Sequence, residues 1–389
     1  MILRQGHHLA YCTNIHRGET WAETMAALEN FTLAVRARVC PAAAFGIGLW
    51  LSDRASRELI SEPDGVAQFR RWLEAHQCYV FTLNGFPFGR FHGERVKESV
   101  YLPDWTTEER VIYTNRLLDI LAQLLPAGVE GTVSTLPGAF KEFVQVPSQA
   151  RALRANLFRC VEHAARLSER NGPALHLALE PEPLCLLENV DETIAFFGQM
   201  RVEHKNDPRL EKHLGINYDT CHMAVEYEEP ASALRRLREH GISIKKLHLS
   251  SALQAAPTAK ARAALWAFAE DTYLHQVIAR SGIGPLTRYK DLTDALDAAA
   301  GTTALAEEWR VHFHIPLHCP ASDWFTPTTD HLLAVLDALA ADPGMCRHLE
   351  METYTWEALP PELKSRHVVD QLAGEYEWTL ARLQARGLA

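Results

Sequence analysis

Nine short runs rich in β-forming residues recur along the whole chain, and most of the gaps between them are long enough to hold a helix. The runs are 8–13 (HLAYCT), 45–51 (FGIGLWL), 78–83 (CYVFTL), 131–135 (GTVST), 175–180 (LHLALE), 214–219 (LGINYD), 244–249 (IKKLHL), 309–314 (WRVHFH) and 348–352 (HLEME). Several gaps carry helical periodicity and end signals. Thr106-Thr-Glu-Glu109 reads as a capping box ahead of VIYTNRLLDILAQLL. Ser148 can cap a long helix that stops at Asn171-Gly172, and Asp191 and Thr328 can cap two more. Strands that alternate with helices imply a parallel sheet, and eight such units make a (β/α)8 TIM barrel.

Nine runs is one too many. The longest gap lies between 244–249 and 309–314, so residues 250–320 read as one long insertion after the seventh strand, with WRVHFH over the barrel mouth. A doubly wound open sheet would carry a Gly-rich turn after its first strand. Here that strand runs into Asn14-Ile-His-Arg-Gly18, which lacks the pattern. With no repeat and no interdomain linker, residues 1–389 read as a single domain.

The chain has 389 residues, 47% hydrophobic and 23% charged, enough to bury a substantial core. Its net charge of −10 argues against nonspecific nucleic-acid or anionic-membrane binding. The first residues lack the apolar core of a signal peptide, and no apolar run approaches the ~20 residues of a membrane helix. The eight cysteines are scattered without a CxxC pair. A cytoplasmic protein with structural thiols is expected.

In a barrel of this kind the active site lies at the carboxyl ends of the strands. The residues found there are Glu180 and Glu182 in LALEPEP, Asp219 and His222 in NYDTCH, His248 in KLHLSS, and Glu350 and Glu352 in HLEMET. Two glutamates, an aspartate and a histidine converging from four strands suit one divalent metal ion: Mn, Co, Mg or Zn. Three carboxylates held together also need a cation or a proton between them. Side chains two apart on a strand share a face, so either member of each Glu pair can point inward. Pro181 and Pro183 end the fifth strand near Glu180, which favours Glu180 over Glu182. Glu352 is nearer the mouth than Glu350, which would then sit one layer deeper. The loop TLNGFPFGRFHGERVK brings Asn84, Phe86, Arg90 and His92 after the third strand as a pocket wall. Trp50, Phe86 and Trp356 are candidates to cover an apolar sugar face, and Arg310, His312 and His314 come from the insertion.

The strings LALEPEP, YDTCH, LHLSS and LEMET, in that order, resemble the xylose-isomerase-like TIM-barrel superfamily. The longer stretches HLAYCTNIHRGETW, YVFTLNGFPFGRFHGERVK, WRVHFHIPLH and HLEMETYTW extend the likeness to the EboE-like metabolite-traffic proteins over nearly the whole chain. The resemblance implies that Glu180, Asp219, His248 and Glu352 are metal ligands and that His222 touches substrate. It also implies that Arg310 with His312 or His314 forms the Arg/His pair after the seventh strand. One departure is that Leu-Ser-Ser-Ala follows His248 where relatives carry an acidic residue, so trinuclear endonuclease chemistry is not expected. EboE-like proteins are encoded beside membrane and sugar-phosphate enzymes, which implies a small-metabolite biosynthesis or export pathway and pathway proteins as partners.

The leading expectation is a metal-dependent isomerase or epimerase of a sugar, polyol or cyclitol. Glu180 and Glu352 would exchange protons with an enediolate, and His222, Arg310, His312, His314, Glu182, Asn84 and Trp356 would contact substrate. The alternatives are a metal-dependent phosphoester hydrolase on a small metabolite and a non-catalytic metabolite-binding protein. The oligomeric state is left open.

Overall fold

A computed structural model describes every residue except 90, 91, 94 and 302–305. Its seven first strands are β1 (His8–Tyr11), β2 (Phe45–Trp50), β3 (Cys78–Asn84), β4 (Gly131–Thr135), β5 (Leu175–Leu179), β6 (Leu214–Asp219) and β7 (Ile244–Leu249). Five strands follow within the stretch after β7: β8 (Leu253–Ala255), β9 (Val277–Arg280), β10 (Thr287–Tyr289), β11 (Glu308–Val311) and β12 (Thr326–Pro327). The last strand is β13 (His348–Met351). Strands β1 to β7 and β13 are parallel and hydrogen-bonded in the order β1-β13-β7-β6-β5-β4-β3-β2, and a bridge between Cys12 and Gly48 joins the two ends. The result is a (β/α)8 barrel. Its strands are buried on both faces, as the continuous apolar runs of the sequence require.

Helices wrap the barrel and bury one stripe each. In Glu108–Leu124, residues Leu117, Leu118 and Leu121 are fully buried against the core. Each such side chain contributes about 1.5–3 kcal/mol of transfer free energy. The helix Pro147–Asn171 ends at Gly172, whose φ of 86° suits glycine. The caps differ from those expected. Thr107, not Thr106, stands at the start of Glu108–Leu124, and the Thr106 amide and hydroxyl instead bind Asp104 Oδ1 at 2.8 and 2.5 Å. Pro147 begins its helix one residue before Ser148, because its fixed φ fits the first helical position. Asn189, rather than Asp191, caps Val190–Glu203. Thr328 occupies the cap position of Thr329–Ala341, but its hydroxyl accepts from the Ala252 amide instead.

Between β7 and the helix Thr329–Ala341, strands β8 to β12 form an antiparallel sheet in the order β10-β9-β11-β8-β12. This sheet has its own apolar core, with Leu265, Phe268, Val277, Trp309, Phe313 and Phe325. Ion pairs clamp it to the barrel: Lys97 with Asp291 at 2.6 Å, and Arg288 with Glu188 and Glu226 at 3.1 and 2.6 Å. The WRVHFH segment therefore belongs to this second sheet. Its chain leaves β11 at Val311 and carries His312 and His314 back to the barrel axis. Among the described residues no helix is long and apolar enough to cross a membrane.

Candidate metal centre

Strands β5, β6, β7 and β13 are consecutive neighbours in the barrel, so their carboxyl ends lie side by side. Register sets Asp219 opposite His248, and His248 opposite Glu350. Glu180 and Glu352 are the first residues beyond β5 and β13, with amides still bonded to Thr135 O and Leu249 O. One ligand atom from each of Glu180, Asp219, His248 and Glu352 lies within 4.8 Å of the other three, and all four residues are buried.

His248 is the centre of this group. Its Nδ1 is 2.8 Å from Glu180 Oε1, 3.2 Å from Glu352 Oε2 and 3.4 Å from Asp219 Oδ2. Its Nε2 donates to Glu350 Oε1 at 2.9 Å, and Lys246 Nζ is 2.7 Å from the same oxygen. Burial alone would lower the His248 pKa, but the charges of Glu180 and Glu352 raise it well above the ordinary imidazole value. Burial would raise Asp219, and the imidazoles of His222, His314 and His248 outweigh it and hold the carboxyl well below its usual range. Glu352 is brought down to about 2 by His248 and His314 against its own burial. A proton on His248 thus supplies the positive charge that three carboxylates demand.

A divalent cation fits the same place. The donor set is three carboxylates and one imidazole, and Glu180 Oε2 and Asp219 Oδ2 are buried with no hydrogen-bond partner among the described residues. The outer contacts suit a set of residues that could hold a metal. Glu350 takes the distal His248 proton, as a carboxylate commonly does behind a metal-binding histidine. Ser250 Oγ donates to Asp219 Oδ1 at 2.6 Å, and the amides of Cys221 and His222 donate to the same oxygen. Asn14 and Asn84 donate to Glu352 Oε1 at 2.8 and 3.2 Å.

Above the four residues lies a cavity of about 50 Å³, far below the ~300 Å³ at which small-molecule pockets usually begin. Glu180, Glu182, His222, His312, Glu352 and Asn84 line it, and Phe86, Tyr101, Tyr273, Leu274 and Tyr354 roof it. Glu182 is buried beside three other carboxylates, and burial and their charges raise its pKa well above the usual range. Burial, with His222 and His314 nearby, holds His312 well below the ordinary imidazole value and therefore neutral.

No family model and no curated protein matches the chain. Solved structures do align with it. A xylose isomerase-like TIM barrel protein from Mycobacterium smegmatis in complex with magnesium gives a TM-score of 0.54 at 13% identity, covering 98% of this chain and 97% of that one. A D-tagatose 3-epimerase-like protein gives 0.52 at 12% identity over 98% of both chains. An L-ribulose 3-epimerase gives 0.51 at 13% identity, over 99% of this chain and 96% of that one. These likenesses agree with the (β/α)8 barrel fold.

Two residues expected to meet substrate lie elsewhere. Arg310 Nη1 binds Ala224 O at 2.6 Å, its Nε binds Glu308, and its guanidinium stacks 4.1 Å over Tyr227. Trp356 lies under Lys364 and lines a separate hollow with Glu357 and Phe31. Tyr354, two residues earlier, is at the cavity in its place. Trp50 is buried with its indole N–H on Pro87 O. Arg90 lies outside the described residues. Cys221 is buried, and desolvation lifts its thiol far from the reactive range. Sequence reading missed Asn14, Tyr101, Lys246 and Ser250. Lys246 had a legible signal, because it is two residues before His248 on the same strand and must share its inward face.

Proposed function

We propose that the chain is a divalent-metal-dependent isomerase or epimerase of a sugar, polyol or cyclitol. The observation that carries this reading is the pairing of Glu180 and Glu352, which border the same cavity from two different strands and have His248 between them. One carboxylate removes the proton from a carbon next to a carbonyl, and the bonding pair moves into the carbonyl to give an enediolate. The other returns a proton to the opposite face or to the neighbouring carbon. A cation held by Glu180, Asp219, His248 and Glu352 supplies Lewis-acid stabilisation of the charge that develops on oxygen. Asn14 and Asn84 fix the Glu352 carboxylate. His222, anchored through Nδ1 on Pro181 O, lines the cavity and orients a hydroxyl. The roof excludes water from the enediolate and has to lift to admit a ring-sized substrate.

The likeness to epimerase folds supports the reaction class. The long sequence strings support the narrower assignment to the EboE-like metabolite-traffic proteins, acting in the cytoplasm on a pathway intermediate. The test is solvent deuterium incorporation into a panel of ketoses and inososes by metal-loaded protein. Wild type incorporates deuterium at one carbon of its substrate. Glu180→Gln and Glu352→Gln each abolish the exchange while circular dichroism stays unchanged. Exchange retained in both variants refutes the two-glutamate assignment. Phosphate release without exchange turns the reading to a hydrolase.

A further inference from the structure

The carboxyl ends of the barrel strands gather carboxylates, and the amino ends gather cations. A hollow of about 900 Å³ opens at the starts of β5, β7 and β13, between the helices Pro230–Glu239 and Thr329–Ala341. Four Lys and Arg side chains line it against three carboxylates, a local positive excess in a chain of net charge −10. Two of the four are matched: Arg238 faces Asp342 at 3.8 Å, and Arg235 faces Glu239 at 3.9 Å. The other two, Lys245 and Arg347, have no carboxylate within ion-pair distance among the described residues. Glu130 feels both charges, but its carboxylate rests on His176 Nε2 at 3.3 Å.

Lys245 is placed in the hollow by the backbone beneath it. Its stem crosses β6 at Gly215, where a Cβ would lie 2.6 Å from Lys245 Cγ and 2.3 Å from Ser243 O. Only glycine leaves that path open. The ammonium donates to Lys212 O at 3.2 Å, the carbonyl that His176 Nδ1 also binds at 2.9 Å. Desolvation lowers the Lys245 pKa against the attraction of Glu130. His348 is buried at the hollow's edge, with Nδ1 2.7 Å from Thr132 Oγ1 and Nε2 without a hydrogen-bond partner among the described residues. Charges at this end of a barrel ordinarily serve stability. A half-buried ammonium with no counter-charge opposes it, and a bound anion would reverse the sign.

We propose that this hollow is a binding site for the phosphate group of a small phosphate monoester, held by Lys245, Arg347 and His348. Two unmatched cations suit a dianion. Phosphate carries close to two charges near pH 7 and has enough oxygens for a guanidinium, an ammonium and an imidazole, whereas a carboxylate has one charge and two oxygens. The hollow is far larger than a phosphate ion, and Leu237, Ile242 and Ile244 give it apolar wall for the organic part of an ester. The site is separate from the metal centre. Strands β7 and β13 run from Lys245 and His348 to His248 and Glu352, so the two sites stand at opposite ends of the same strands.

Isothermal titration calorimetry with phenyl phosphate, inorganic phosphate and phenol tests the site, with EDTA present so that no metal at the mouth holds phosphate. Wild type, Lys245→Met, Arg347→Met and Asp219→Asn are compared, with thermal melts to check folding. Wild type binds phenyl phosphate more tightly than inorganic phosphate, less tightly as salt is raised, and does not bind phenol. Lys245→Met and Arg347→Met each weaken ester binding by about tenfold or more. Asp219→Asn, at the far end of the barrel, binds the ester as wild type does. Inorganic phosphate bound as tightly as the ester, and lost in both cation variants, keeps the phosphate site and assigns it to the free ion. Binding undiminished in both Lys245→Met and Arg347→Met overturns the proposal. So does binding lost in Asp219→Asn alone, or no binding of either phosphate compound to wild type.

Discussion

Glu350 is the residue through which the interior of the barrel controls the candidate metal centre, and Glu350→Gln tests that control. The side chain is fully buried and accepts from His248 Nε2 at 2.9 Å and Lys246 Nζ at 2.7 Å. Lys246 is equally buried, and its Nζ also donates to Ser134 Oγ at 3.1 Å. Replacing the carboxylate by an amide leaves a buried ammonium without its counter-charge, a loss of about 3–5 kcal/mol. It also removes the negative charge behind the imidazole, which lowers the basicity of Nδ1, and places an unbalanced cation near the site. Both effects weaken metal binding, by about 10–100-fold for an outer partner of this kind. Urea unfolding of metal-free protein reads the first effect, and chelator competition reads the second. Adding Lys246→Met to Glu350→Gln removes the stranded ammonium, so stability returns to within about 1–2 kcal/mol of wild type. Metal affinity stays low, because the His248 partner is still missing. A single Glu350→Gln variant within 1 kcal/mol of wild type and with unchanged affinity refutes the linkage. So does full recovery of affinity in the double variant.

Three further outcomes are expected. A Cβ at Gly48 would lie 1.8 Å from Glu350 Oε2 and 2.9 Å from Tyr11 O, so Gly48→Ala displaces Glu350, costs about 1–3 kcal/mol or more, and lowers metal affinity in the same chelator assay. Metal binding has to displace the proton that the carboxylates hold on His248 Nδ1, so calorimetry in buffers of different ionisation enthalpy at pH 7 reads close to one proton released, and affinity falls as pH is lowered. Glu375 is buried with its pKa raised by desolvation from 4.5 to about 8, with Thr353 Oγ1 donating to it. A raised carboxyl favours the folded state fully below pH 4.5 and loses that advantage as pH rises through 8. Glu375→Gln is therefore more stable than wild type by about 1.4 kcal/mol for each pH unit above 4.5 up to 8, as pH-dependent urea unfolding will show.

The barrel strands were legible because parallel strands buried on both faces leave continuous apolar runs, which turns and helices cannot imitate over eight repeats. Their ends were read to within two residues: 131–135, 214–219 and 244–249 coincide with β4, β6 and β7. Caps were less legible. Several side chains can satisfy the same orphan amides, and the tertiary contacts that decide among them, such as Thr328 on Ala252, have no local signal. The placement of Glu180, Asp219, His248 and Glu352 followed from strand ends and parity alone. What could not be read was everything that depends on the second sheet. Its strands are three or four residues long where they are not shorter, and the pairings onto β8 cross more than fifty residues, as between Arg310 and Gln254.

That pairing explains why Arg310 and His312 were hard to separate in the sequence, although only one of them reaches the cavity. In β11 Arg310 is still held by the ladder to Ile278 and Gln254, and its side chain is drawn outward by Ala224 O and the face of Tyr227. The chain leaves the ladder after Val311. From there His312 is fixed by Gln276 and His314 by the Glu352 carbonyl, contacts that turn both rings inward. A strand's alternation would put Arg310, His312 and His314 on one face. The end of the strand breaks that rule and turns two imidazoles inward, of which His312 lines the cavity, instead of a guanidinium. An Arg at this point would bring a fixed positive charge to the mouth and oppose a cation there. His312, held neutral, brings a lone pair instead. The cationic chemistry open to this barrel mouth is thus decided by where β11 stops.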